Sequence, residues 1–96
     1  MHLKQVHEHI DQCRKEDLDL LIQICKQPSV FVQNLGTREM QDICCDLLRM
    51  IQIEPHVYSQ GGASYVFGEY QCPDPNARTV IIYGHSDVQQ IGRAHV

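Results

Sequence analysis

The run Thr79-Val80-Ile81-Ile82-Tyr83 constrains this chain more than any other stretch. An unbroken apolar run of strand length predicts a β-strand buried on both faces, as in a sheet covered by helices. The run passes at once into Gly84-His85-Ser86-Asp87-Val88-Gln89. In α/β folds, ligands collect outside the carboxyl ends of the strands, so a histidine and an aspartate at that point are the leading site candidates. The rest of the sequence must then supply helices to cover the sheet and further strands to extend it.

The helices are readable from periodicity. From about His2 to Lys26, Val6, Ile10 and Cys13 recur three and four apart, and Leu18, Leu21, Ile22 and Cys25 continue an apolar face. The spacing slips near Lys15-Glu16-Asp17, which allows one bent helix or two. Pro28 ends this region, because the residue before a proline is pushed out of the α conformation. A second helical region carries Met40, Ile43, Cys44, Leu47, Leu48 and Ile51 on one stripe, with Thr37 as its expected N-cap and Glu39 placed favourably for the helix dipole. Ile53–Tyr58 reads as an edge or irregular strand because of Pro55, and Ser64–Tyr70 reads as a second strand after the Ser59-Gln60-Gly61-Gly62 turn. Thr79–Tyr83 is the third. The expected fold class is therefore α/β, with two helices followed by three strands in an incomplete sheet.

Composition narrows the class. Ninety-six residues make at most one small domain, which buries roughly 60–65% of its unfolded surface. With 43% hydrophobic and 21% charged residues the chain is too apolar for disorder. A formal charge of −4 argues against a nucleic-acid partner, which would require clustered Lys and Arg. No run approaches the ~20 apolar residues of a membrane span, and Met1-His2-Leu3-Lys4-Gln5 lacks the core of a signal peptide. The five cysteines, Cys13, Cys25, Cys44, Cys45 and Cys72, are odd in number and lack C-x-x-C spacing. Cys13, Cys25 and Cys44 fall on apolar stripes, so reduced, buried thiols and a cytoplasmic location are expected.

Each residue of Gly84-His85-Ser86-Asp87 has a physical task. Side chains along a strand alternate, so His85 and Asp87 share a face while Ser86 points away. A ligating histidine must be neutral and held in one tautomer, and a nearby carboxylate does both while raising its basicity. Gly84 lets the backbone bend as it leaves the sheet. Taken alone, these four residues read equally well as a surface turn after a core strand.

The wider stretch adds to this. From Leu18 to about Gln89 the chain resembles the amino-terminal part of the co-catalytic zinc peptidase family, which includes carnosine dipeptidases, aminoacylases, acetylornithine deacetylase and succinyl-diaminopimelate desuccinylase. Leu20-Leu21-Ile22-Gln23-Ile24-Cys25-Lys26-Gln27-Pro28-Ser29-Val30 is similar to the family's first helix and its Ile-Pro-Ser-Val turn. Val66-Phe67-Gly68-Glu69-Tyr70 and the stretch from Thr79 to Gln89 are similar to its next strands, and the Asp-Val-Gln ending resembles the dipeptidase branch. The family usually continues with proline, where this chain has Gln90. The resemblance implies that His85 is a ligand in a two-zinc site and that Asp87 orients it. It also implies that a metal-bridging water, helped by a glutamate, hydrolyses a dipeptide or an N-acyl amino acid. Dimerisation would belong to a separate lid domain. The remaining ligands and the general base would lie downstream of this segment.

Other motifs are weaker. In His7-Glu8-His9 the two histidines face different directions on a helix. His56 reads as a surface residue, Cys44-Cys45 as part of the core stripe rather than a redox pair, and Gly61-Gly62 and Asp74/Asn76 as turns. Ile91-Gly92-Arg93-Ala94-His95-Val96, back-translated, matches one frame of a sequencing-library adapter and is set aside from fold reasoning. Residues 1–90 are thus expected to be the amino-terminal portion of a zinc-peptidase catalytic domain, silent in isolation and without tight zinc binding. The competing expectation is a small non-catalytic α/β interaction module.

Overall fold

The computed structural model describes residues 2–88; Met1 and residues 89–96, including the whole of the adapter-like tail, lie outside the described residues. Two helices, α1 (Leu3–Gln12) and α2 (Arg14–Lys26), meet at Cys13, whose φ of −91° and ψ of 1° break the regular ladder. The slip in spacing is therefore a junction between two helices, slightly earlier than the charged Lys15-Glu16-Asp17 stretch. Gln27, extended at φ −78° and ψ 118°, ends α2 just before Pro28, as the steric restriction on a pre-proline residue requires.

Pro28 to Gly36 forms a tight loop. Val30 and Leu35 exchange both backbone hydrogen bonds, at 2.9 and 3.1 Å, around a single 3-10 turn at Phe31–Gln33. The loop delivers the chain into α3 (Thr37–Met50) through Gly36, whose φ is 70°. A Cβ at Gly36 would run into the Pro28 carbonyl oxygen, so both the backbone angle and the space require glycine. Thr37 is consequently the first helical residue and not the N-cap; its hydroxyl lies 3.3 Å from the Asn34 side-chain oxygen.

Strands β1 (His56–Gln60) and β2 (Ala63–Phe67) form an antiparallel hairpin with His56 opposite Phe67 and Gln60 opposite Ala63. Gly61 and Gly62 make the two-residue turn, both at positive φ, the geometry that matches the natural strand twist. Pro55 stands just outside β1, where it costs no ladder bond. The hairpin packs on α3 through β2. Just past β2 the chain passes close to the end of α3 at Gly68, where an added Cβ would lie 2.6 Å from Ile53 Cγ2 and 3.0 Å from Leu48 Cδ1.

The third expected strand is not part of this sheet. Thr79–Tyr83 pairs with no strand among the described residues, and Ile81 and Ile82 are 87% and 93% exposed. The physical reason is that the run is suited to a central position, which needs a hydrogen-bonded neighbour on each edge, whereas β1 and β2 satisfy each other. What the structure supports is a small α/β arrangement of three helices and a two-stranded sheet.

The helix faces also differ from expectation. On α3, Met40 and Cys45 are buried and Ile43, Cys44, Leu47 and Leu48 half-buried, while Ile51 is exposed. On α2 the expected stripe of Leu18, Leu21, Ile22 and Cys25 is exposed, and Leu20 and Ile24 instead turn toward Ile43 and Leu47 across a shallow cleft. The α2 helix is apolar on both sides, so periodicity could not choose between them. Of the cysteines expected to be buried, Cys25 is exposed and Cys13 and Cys44 are only half-buried; all five are free thiols. The radius of gyration, 16.8 Å, exceeds the about 12–13 Å of a compact chain of this length, in line with so little burial.

Two outcomes follow from this packing. Gly68→Ala overpacks the contact with Leu48 and Ile53 and is expected to destabilise the chain by about 1–3 kcal/mol in chemical denaturation. Ile82→Asp, in the uncovered run, is expected to leave the melting temperature unchanged while reducing self-association in size-exclusion chromatography. A melting temperature lowered as much as by Gly68→Ala would show that the run is packed after all.

Candidate functional site

A backbone hydrogen bond ties the Gly84–Val88 segment to the body of the chain. The Val88 N–H donates to the Ser29 carbonyl oxygen at 2.7 Å, fixing the segment to the loop after α2. Nearby, the Ser86 hydroxyl lies close enough to the Cys44 thiol on α3 to favour its ionised form. Ser86 is exposed, as are His85 and Asp87 on either side of it.

His85 Nδ1 lies 3.3 Å from Asp87 Oδ1 and 3.1 Å from the Asp87 carbonyl oxygen. Both acceptors belong to Asp87, and both call for a proton on Nδ1. In a neutral imidazole that leaves Nε2 with the free lone pair, the state a metal-ligating histidine requires. The pair is open to solvent, with side-chain exposures of 73% for His85 and 49% for Asp87. The geometry therefore presents one oriented imidazole nitrogen and its orienting carboxylate.

It does not present more than that. No group of three or more His, Cys, Asp or Glu side chains gathers anywhere among the described residues. Catalytic zinc takes about three protein ligands, so His85 and Asp87 do not by themselves make up a metal centre.

Beneath the motif, the Cys44 thiol is pushed above its ordinary value of 9.0 by burial and by the adjacent Cys45, while the hydrogen bond from Ser86 pulls it back. Sequence reasoning placed Cys44 on the core stripe and did not connect it to Ser86, since no spacing rule links positions so far apart.

The minor motifs fall where their chemistry places them. Asp74 Oδ1 accepts a hydrogen bond from the Asn76 N–H at 2.9 Å, a local Asx turn. His56 is exposed on β1. His7 and His9 do not converge on each other; His9 instead approaches Cys13, with Nε2 3.6 Å from Sγ. That pair has the i,i+4 spacing of helix neighbours and was legible in principle. No helix of the described residues is long and apolar enough to cross a membrane.

Compared with protein-family models, with curated proteins and with solved structures, the chain finds no match.

The raised Cys44 value has a definite sign. A thiol held neutral by the fold contributes stability that is present below the unfolded-state value and is lost as pH rises through the folded one. Stability should therefore fall more steeply above about pH 9 in the parent chain than in Cys44→Ala, measured by denaturant titration at several pH values. Ser86→Ala removes the opposing hydrogen bond and is expected to slow alkylation of Cys44 at pH 9 further, leaving exposed Cys25 and Cys72 unaffected.

Proposed function

We propose that residues 1–90 belong to the catalytic domain of a zinc-dependent hydrolase that cleaves dipeptides or N-acyl amino acids. In this reading His85 is a metal ligand through Nε2, and Asp87 holds its tautomer and orientation. One observation carries it: His85 Nδ1 stands within hydrogen-bonding reach of both the Asp87 carboxylate and the Asp87 carbonyl oxygen. The resemblance of the Thr79–Gln89 stretch to the zinc peptidase family supplies the reaction class, and a cytoplasmic enzyme is part of the same proposal.

When bound, the two zinc ions would supply an activated water and polarise the scissile carbonyl. What this chain contributes is narrower. Asp87 accepts a hydrogen bond from the Nδ1–H, His85 offers Nε2, and the hydrogen bond from the Val88 N–H to the Ser29 carbonyl ties the segment to the loop after α2. The other ligands and the general base must come from outside the described residues, so these residues alone are expected to be inactive.

The coding sequence beyond the Gln90 codon tests the reading most directly. An aspartate about one strand-helix unit further on, followed by a Glu-Glu pair, is expected; an in-frame stop sinks the proposal. In a protein so completed, Asp87→Asn is expected to weaken metal affinity or dipeptide hydrolysis about 10–100-fold. His85→Ala should cost more than Asp87→Asn, and equal activity in parent and His85→Ala enzymes would refute the assignment.

A further inference from the structure

The two faces of the β1–β2 hairpin differ in kind. Burial alternates along both strands and past their ends: Ile53, Pro55, Val66 and Gly68 are half-buried, while Glu54, His56, Phe67 and Glu69 are exposed. The half-buried set turns toward α3, where Gly68 meets Leu48, so the other set forms the outer face. The register puts Tyr58 opposite Tyr65 and His56 opposite Phe67 on that face. Tyr58, Tyr65 and Phe67 are 59%, 58% and 51% exposed. Directly opposite residues have Cβ atoms about 4.5–5.5 Å apart, so the three rings make one continuous aromatic surface.

Exposed apolar side chains are common in this chain, and it is charge that sets this face apart. Glu54 and Glu69 stand two residues beyond His56 and Phe67, at the end away from the turn. On the helices, Asp11, Asp19, Asp42 and Asp46 each pair with a nearby Arg or Lys. The hairpin has no such partner to offer, because no lysine or arginine occurs between Arg49 and Arg78. Glu69 Oε1 accepts a hydrogen bond from Gln71 Nε2 at 2.6 Å, which leaves its charge in place. Apart from His56, no side chain of the face can turn positive.

These features select one kind of ligand. Aromatic rings present a negative face that attracts cations, and the two carboxylates add to it. Phosphate-bearing partners are repelled, and a purely apolar cover would strip water from Glu54 and Glu69 without pairing them. A guanidinium meets both halves of the surface, because it stacks flat on aromatic rings and forks onto carboxylates. We infer that the outer face of the hairpin binds arginine side chains of a basic peptide segment, with Tyr58, Tyr65 and Phe67 as the stacking surface and Glu54 and Glu69 as its anionic end. The site does not depend on the hydrolase reading or on His85.

Fluorescence anisotropy of a labelled peptide, arginines alternating with glycine and serine, tests this against the full chain. Every protein carries Ile82→Asp, so that association through the Thr79–Tyr83 run does not compete. Binding should saturate, and the same peptide with citrulline for arginine should bind about tenfold more weakly, its charge being gone. Tyr58→Leu/Tyr65→Leu should weaken binding about 5–30-fold, while Tyr58→Phe/Tyr65→Phe keeps it. Glu54→Gln/Glu69→Gln should weaken it and flatten its salt dependence, with Asp11→Asn/Asp42→Asn unchanged. The glutamine pair lies outside the strands and tests the site even where the leucine pair disturbs the hairpin. Absence of saturable binding, equal affinity for the citrulline peptide, or equal loss in the aspartate and glutamate pairs would overturn the inference.

Discussion

The seating of the Gly84–Val88 segment on α3 and on the loop before it is the contact from which the site takes its form. On one side, α3 holds the hairpin through Leu48 and the close approach at Gly68. On another, the Ser86 hydroxyl lies near the Cys44 thiol, and the Pro28–Gly36 loop that feeds the helix accepts the Val88 N–H at the Ser29 carbonyl. Site geometry in this chain is therefore a property of α3 and its entry loop more than of the apolar run that leads into the motif.

That point separates what was readable in the sequence from what was not. The α3 stripe was legible because its 3.6-residue pattern is anchored by a nearby packing partner, so Met40, Ile43, Leu47 and Leu48 turn inward as periodicity requires. The hairpin was legible because Gly61-Gly62 dictates its own turn, although the strand limits shifted by a few residues. Thr79–Tyr83 misled for the opposite reason. Its side chains signal burial, but burial of a strand is conferred by neighbours on both edges, and no local pattern records whether those exist. On α2, apolar residues on both sides left the choice of face to tertiary contact, which selected Leu20 and Ile24.

The candidate site divides the same way. The pairing of His85 with Asp87 followed from strand alternation and is present in the structure. The Cys44–Ser86 and Ser29–Val88 contacts were not legible, since they join residues more than forty positions apart through packing alone. Among histidines, a contiguous tract such as His7-Glu8-His9 draws the eye, yet helix geometry pairs His9 with Cys13.

The Ser29–Val88 hydrogen bond also makes the chain topologically closed in a way that bears on its handling by other proteins. Between β2, held on α3, and Val88, held at Ser29, lies a span of about 20 residues anchored at both ends, and closing such a loop costs only slowly more as it lengthens. Its middle is solvent-exposed and carries Arg78. A trypsin-like protease would meet Arg78 as an open bond, and a single cut there would leave the hairpin on α3 while Gly84–Val88 stayed attached through its hydrogen bond to Ser29. His85 would then keep its place after scission of the backbone only for as long as the Val88 hydrogen bond held, so persistence of the motif after nicking would measure the strength of that bond.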